Sequence, residues 1–177
     1  MTVTNISRAG LIARQVELEL VTLHNANVTS SVDALDTPAE LALRQEYRAW
    51  YERRQKNPEH LFVYVDFRFA ASDAAGEEPS NGALDLSATY LLAYRLVNPD
   101  EQPEDALQFF AELNGVYNAW PYWRELVQTV SGRVGLSAIV VPVFRPPSKP
   151  VEEKPADEPA TPPAKKARKT ISRRKQL

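Results

Sequence analysis

The side chains that most often carry out chemistry are scarce in this chain. It has two histidines, His24 and His60, and no cysteine, so disulfides, thiolate nucleophiles and Cys-built zinc sites are excluded. Neither histidine has a nucleophile or second ligand at a recognisable spacing, and no Gly-rich phosphate loop or paired metal motif occurs. The 23 acidic residues are scattered, so nothing supports an acid–base pair. We assign no catalytic residue, no metal ligand and no cofactor, and expect a protein that is not an enzyme. What the sequence concentrates instead is aromatic rings. Tyr117, Trp120, Tyr122 and Trp123 lie close together, with Phe109 just upstream. These rings cannot all point into one core. Some are expected on a binding surface or a subunit contact, where Trp and Tyr concentrate binding energy.

Charge is the second concentrated feature. Residues 1–144 carry 11 Lys+Arg against 19 Asp+Glu, a balance of −8, while residues 145–177 carry 10 against 4, a balance of +6. Seven of the 14 prolines fall in 146–163, and the cations Lys165, Lys166, Arg168, Lys169, Arg173, Arg174 and Lys175 follow without an anion among them. Such a segment buries too little apolar surface to offset its ordering entropy. We therefore expect a folded domain over 1–144 and a Pro-rich, basic, disordered tail over 145–177. The tail would attract phosphates in a salt-dependent, sequence-independent way. A nucleic-acid- or ribosome-associated adaptor acting through the tail is thus the rival reading, although the acidic body argues against a nucleic-acid-binding domain. The first ten residues hold no apolar signal core, and no apolar run approaches the ~18 residues of a membrane span. We expect a soluble, non-secreted, cytoplasmic protein.

The elements that must position the rings follow from periodicity. Val16-Glu-Leu-Glu-Leu20 alternates with period two, as a half-buried strand does, and Ala26 to Val32 either extends it or hides a further strand. Thr37, Pro38 and Glu40 form a capping signal. Leu43, Tyr47, Trp50 and Tyr51 follow at helical spacing, which predicts a helix over Pro38–Lys56 that Asn57-Pro58 stops. Leu61–Phe69 is β-branched and aromatic, and Ala83–Val97 alternates, so both read as long strands. Pro103–Gly115 reads as a helix. A second helix is expected to restart at Pro121, because proline lacks an N–H, with Asn118 as its cap. Long antiparallel strands followed by helices argue for an α+β domain with helices on one sheet face.

Phe110–Phe144 resembles the C-terminal half of the SecB-like chaperone family, which includes the bacterial export chaperone and relatives in toxin–antitoxin modules. Asn118, Pro121, Tyr122, Arg124, Glu125, Ser131, Arg133, Pro142, Val143 and Phe144 repeat that family's order, spacing and residue types. The resemblance implies a four-stranded antiparallel sheet with helices on one face, assembled as a dimer of dimers. It implies an ATP-independent holdase that binds unfolded or nascent polypeptides, either export preproteins or a dedicated antitoxin. Phe109, Tyr117, Trp120, Tyr122 and Trp123 become candidates for the client surface or the oligomer contact. Glu77 and Glu78 resemble one acidic contact to the export motor ATPase. The other acidic positions correspond by register to the uncharged Asn25 and Thr29. Only three strands are evident from periodicity, and the Pro38–Lys56 helix departs from the family's pattern.

Overall fold

The computed structural model describes residues 5–32, 40–73, 82–99 and 102–145. The expected tail beyond Arg145, together with Thr37, Pro38, Glu77 and Glu78, lies outside them. The element order is α1 (Asn5–Ala13), β1 (Val16–Ser30), β2 (Leu41–Arg54), β3 (Asn57–Asp73), β4 (Gly82–Leu96), α2 (Glu104–Phe110), a π-turn (Ala111–Gly115) and α3 (Val116–Arg133). The strands form one antiparallel sheet in the order β1-β4-β3-β2, with helices packed on one face. The fold is α+β, as the sequence implies.

Two expectations are corrected here. The helix expected over Pro38–Lys56 is not formed among the described residues: Leu41–Arg54 is β2, paired with β3 from Leu41↔Asp73 to Arg54↔Asn57. The same residues also carry a period of two, with Leu41, Leu43, Tyr47, Ala49 and Tyr51 alternating with Arg44, Glu46, Arg48 and Glu52. Fourteen residues of pairing to β3 outweigh a local capping signal, because helix propensity is a weak prior that tertiary context overrides. Asn57-Pro58 follows a tight turn at Gln55-Lys56 and opens β3. The fourth strand is therefore β2, and Ala26–Ser30 prolongs β1. The presumed helical insertion is part of the sheet itself.

The two central strands make the core floor. Leu61, Val63, Val65, Phe67, Phe69 and Ala71 of β3 stand beside Leu84, Leu86, Ala88, Tyr90, Leu92 and Tyr94 of β4, all on the helix face and all buried. Edge strand β1 keeps its phase through register shifts between Leu18 and Leu20 and between Leu23 and Asn25. A bulge adds one residue to a strand and so reverses which parity faces the core. Val21, opposite Leu92, then joins the helix face, while Leu20, opposite Ala93, falls on the other. Simple alternation had placed Val16, Leu18 and Leu20 together.

Helix α1 carries no strong local signal and owes its place to tertiary burial of Ala9 and Ile12 and to an Arg8–Asp105 ion pair with α2. The second correction concerns α3, which runs unbroken from Val116 through Pro121 to Arg133. Asn118 is inside it and donates from Nδ2 to the Tyr94 hydroxyl at 2.9 Å rather than capping. Proline costs one helical hydrogen bond there, and the burial of Val116, Ala119, Trp120, Trp123 and Val127 on the sheet outweighs that loss. Gly115 allows the close approach, since a Cβ built on it would lie 2.6 Å from Val63 Cγ1.

Trp123 is fully buried and stacks on Phe67 with centroids 5.0 Å apart. Trp123→Ala should lower the unfolding free energy by about 3–5 kcal/mol in a denaturant titration. A loss under about 1 kcal/mol would mean that the ring does not belong to the core.

Candidate functional site

The rings singled out from the sequence divide between two environments. Trp120 and Trp123 are core residues, Phe109 is half-buried, and Tyr117 and Tyr122 are 59% and 48% exposed. The division follows from the helical phase of α3, which turns Val116, Ala119, Trp120 and Trp123 to the sheet and leaves Tyr117 and Tyr122 outside. Tyr122 is anchored through its backbone, whose carbonyl accepts the Tyr90 hydroxyl at 3.1 Å.

After α3 the chain returns alongside it without regular secondary structure. Ser131 directs the return: its Oγ donates to the Gln128 carbonyl at 3.1 Å and accepts the Ile139 N–H at 3.1 Å. Trp120 Nε1 donates to the Pro142 carbonyl at 2.8 Å, and Arg124 Nε to the Val141 carbonyl at 2.7 Å. These bonds set Val143 and Phe144 beside the aromatic turn of α3. The resulting groove of about 500 Å³ is lined chiefly by Tyr117, Trp120, Tyr122, Arg124, Val143 and Phe144. Its wall continues onto the sheet, because Tyr47 of β2 lies edge-on to Trp120 at 5.9 Å and to Phe144 at 5.8 Å.

Beyond Tyr47 the row reaches Leu43, and both are about half exposed. Sequence reasoning missed these two because it placed them on a helix. Their period-two spacing with Leu41, Ala49 and Tyr51 was the available signal. Strand β2 is also a sheet edge. The Ala49 carbonyl accepts Gln108 Nε2 at 3.2 Å, so it points away from β3. Strand periodicity turns the backbone of Gln45 and Tyr47 the same way. The site is thus an aromatic groove beside an open strand edge, a geometry that can receive an extended chain through backbone pairing with alternate side chains in pockets.

The opposite sheet face is polar and aromatic. Trp50 stacks on Tyr64 at 5.3 Å, Arg48 donates to Asp66 at 3.0 Å, and the exposed His24 meets Tyr64 edge-on at 5.7 Å. His60 lies between the carboxylates of Glu19 and Glu59 at 2.9 and 3.0 Å. Asn25 and Thr29, exposed on β1, pair with Thr89 and Asp85. Among the described residues no His/Cys/Asp/Glu group could hold a metal ion, and no helix is long and apolar enough to cross a membrane.

No family model and no curated protein sequence matches the chain. Among solved structures, it resembles the SecB-like chaperone Rv1957 of Mycobacterium tuberculosis, determined in complex with a peptide from the HigA1 antitoxin. The TM-score is 0.69 at 14% identity, covering 79% of this chain and 98% of that one. A Streptococcus agalactiae protein of unknown function aligns at a TM-score of 0.39 and 11% identity, over 72% of this chain and 97% of that one, too loosely to compare folds on. The chain has the SecB-like fold.

Two tyrosines seat α3 on β4. Burial pushes the Tyr90 phenol up to about 12, with the Glu125 carboxylate adding to it. Burial likewise pushes Tyr94 up to about 12, against a smaller lowering by the Asn118 hydrogen bond. Unfolded tyrosine titrates near 10. The stability supplied by the two neutral phenols is therefore complete below about pH 10 and is lost as the pH rises through about 12. Lys56 is the sole lysine before Lys149, so lysine titration adds little in the body. The denaturant midpoint should hold steady to about pH 9.5 and then fall, and Tyr94→Phe should flatten the fall. An identical pH profile in that variant would remove Tyr94 from the explanation.

Proposed function

We propose that the protein is an ATP-independent holdase chaperone that binds unfolded polypeptide in an extended conformation and prevents its aggregation. The observation that carries this reading is the groove of Tyr117, Trp120, Tyr122, Val143 and Phe144 beside the open edge of β2. A folded protein that leaves Tyr117, Tyr122 and Val143 about half exposed on one face offers apolar area to a partner. Backbone pairing at the strand edge would hold the client's main chain, while the rings would select apolar and aromatic side chains.

The client we favour is a dedicated antitoxin-like polypeptide rather than a range of export preproteins. The structural neighbour was solved with an antitoxin peptide. The positions that would match part of an acidic export-motor site carry Asn25 and Thr29 instead of carboxylates. Glu77 and Glu78 remain the proposed motor contact if export is the role. Any nucleic acid would be held through the basic tail, the segment 145–177 that we keep apart from the chaperone domain 1–144. The compartment that suits this role is the cytoplasm.

Aggregation of a denatured model substrate should be suppressed without nucleotide. Tyr117→Ser combined with Tyr122→Ser should weaken suppression by about fivefold, the equivalent of roughly 1 kcal/mol of contact energy. Because both rings are exposed, the unfolding midpoint should not move. Wild-type protein that fails to suppress aggregation at stoichiometric excess would refute the reading. Capture from native cytosol followed by mass spectrometry separates the clients: one small co-expressed partner supports the antitoxin role, and many preproteins support export.

We also propose a homo-oligomer, a dimer of dimers. Leu18, Leu23 and Val28 of edge strand β1 share the helix face with Tyr94, Tyr90 and Leu86, yet each is at least 40% exposed. Light scattering should give a dimer or tetramer at micromolar concentration, and a monomer would count against the assembly.

A further inference from the structure

On the sheet face away from the helices, β2 carries a run of alternating charge, Arg44, Glu46 and Arg48, and all three side chains are exposed. Strand β3 answers it from the inner side. Arg68 lies opposite Glu46, and Asp66 lies opposite Arg48 and accepts its Nε–H at 3.0 Å. Between and beside those charges, β3 turns Phe67 and Phe69 to the helix face, where both are buried. The segment Asp66-Phe-Arg-Phe69 thus displays what a strand carries when it pairs with β2: opposite charges on one face and aromatic rings on the other.

The outer side of β2 can take a second such strand over a limited length. Helix α2 closes the edge from Ala49 onward, because Gln108 Nε2 donates to the Ala49 carbonyl at 3.2 Å and the Tyr51 hydroxyl donates to the Glu104 carbonyl at 3.4 Å. Before Ala49, strand periodicity turns the backbone of Leu43, Gln45 and Tyr47 outward. No hydrogen bond from another element reaches these groups among the described residues. Residues opposite each other in paired strands point to the same face. Alternate side chains of an added strand therefore meet Leu43, Gln45 and Tyr47, and Tyr47 opens onto Trp120 and Phe144 of the groove. The side chains in between meet Arg44, Glu46 and Arg48.

We propose that these three charges select the client: it is an alternating strand with acid–x–base–x–acid on its outer face and apolar or aromatic residues at x. This rests on the holdase reading above and names the client class for the same site. The order Arg44, Glu46, Arg48 is the same from either end, so it suits a client running parallel or antiparallel to β2. Attraction alone contributes little, because Arg44 already pairs with Glu46 and Arg48 with Asp66 near the surface. Discrimination comes chiefly from repulsion, since like charges placed directly opposite destabilise a strand pair.

Two fluorescein-labelled peptides of equal composition and net charge provide the test, Asp-Phe-Arg-Phe-Asp and Asp-Phe-Asp-Phe-Arg, each between the same Gly-Ser flanks. In fluorescence anisotropy the first should bind wild-type protein about fivefold more tightly, and the difference should shrink as salt rises. Exchanging two charges, Arg44→Glu with Glu46→Arg, keeps the protein's net charge. The exchanged variant should prefer Asp-Phe-Asp-Phe-Arg or its reverse, Arg-Phe-Asp-Phe-Asp, and whichever binds reports the client's direction. Its unfolding midpoint checks that it is folded, since the exchange sets a cation opposite Arg68. Should it not fold, Arg44→Gln, Glu46→Gln and Arg48→Gln together serve in its place, and the two peptides should then bind alike.

Equal binding of the two peptides to wild-type protein would overturn the proposal, as would a preference that survives the charge changes. Binding of neither peptide by protein that still suppresses aggregation would overturn it too. Wild-type protein that suppresses no aggregation is instead a failure of the holdase reading, so the two failures are distinguishable.

Discussion

On the helix face, packing converges on Phe67. Its ring, fully buried in the middle of β3, stacks on Trp123 at 5.0 Å, meets Trp120 at 5.7 Å and Tyr90 at 6.1 Å, and reaches Tyr47 at 6.3 Å. Each such pair adds about 0.5–1.5 kcal/mol beyond area burial, so the cluster fixes where α3 lies on the sheet. Once α3 is fixed, the Trp120 and Arg124 side chains fix the returning segment, and that segment brings Phe144 to the groove. The candidate site is thus a by-product of core packing: inward rings place the outward ones.

The same packing has polar costs. Trp123 Nε1 is buried without a hydrogen-bond partner among the described residues, as is Asn114 Oδ1. An unsatisfied buried group costs about 1–3 kcal/mol. Both lie in the helix that carries the groove, one in the π-turn and the other beneath the aromatic turn. Stability has been conceded where the proposed activity resides, while the β3–β4 floor carries no such defect among the described residues.

The two sheet edges differ in a way that suits different partners. On β1, Leu18, Leu23 and Val28 form an apolar row on the helix face, and Glu17 and Glu19 on the other side are held by Arg95. On β2 the open-face positions are mostly charged, Arg44, Glu46, Arg48 and Glu52, with Trp50 among them, while the helix-face positions run into the aromatic groove. Charge on an edge discourages indiscriminate strand addition. An open edge next to a hydrophobic groove can admit a strand whose side chains suit the groove, so the client pairing and the self-association proposed above would fall on different edges.

By itself the sequence determined the features that depend on local pattern. The strand Leu61–Phe69 is legible from its β-branched and aromatic residues and Ala83–Val97 from its period-two alternation, and the class α+β follows from such strands followed by helices. The ordered residues from Asn118 to Phe144 were enough to suggest the fold that the structure bears out. What tertiary structure decided depends on partners far along the chain. Leu41–Arg54 has the cap and spacing of a helix, and became a strand because β3 offers it a full ladder. Pro121 signals a helix start, yet lies mid-helix because the sheet buries the residues on both sides of it. The bulges in β1 and the five-residue step at the π-turn each shift a phase by one residue, and no local preference shows such a shift in advance. Which rings became core and which became surface depends on that phase, and so only the packed molecule could decide it.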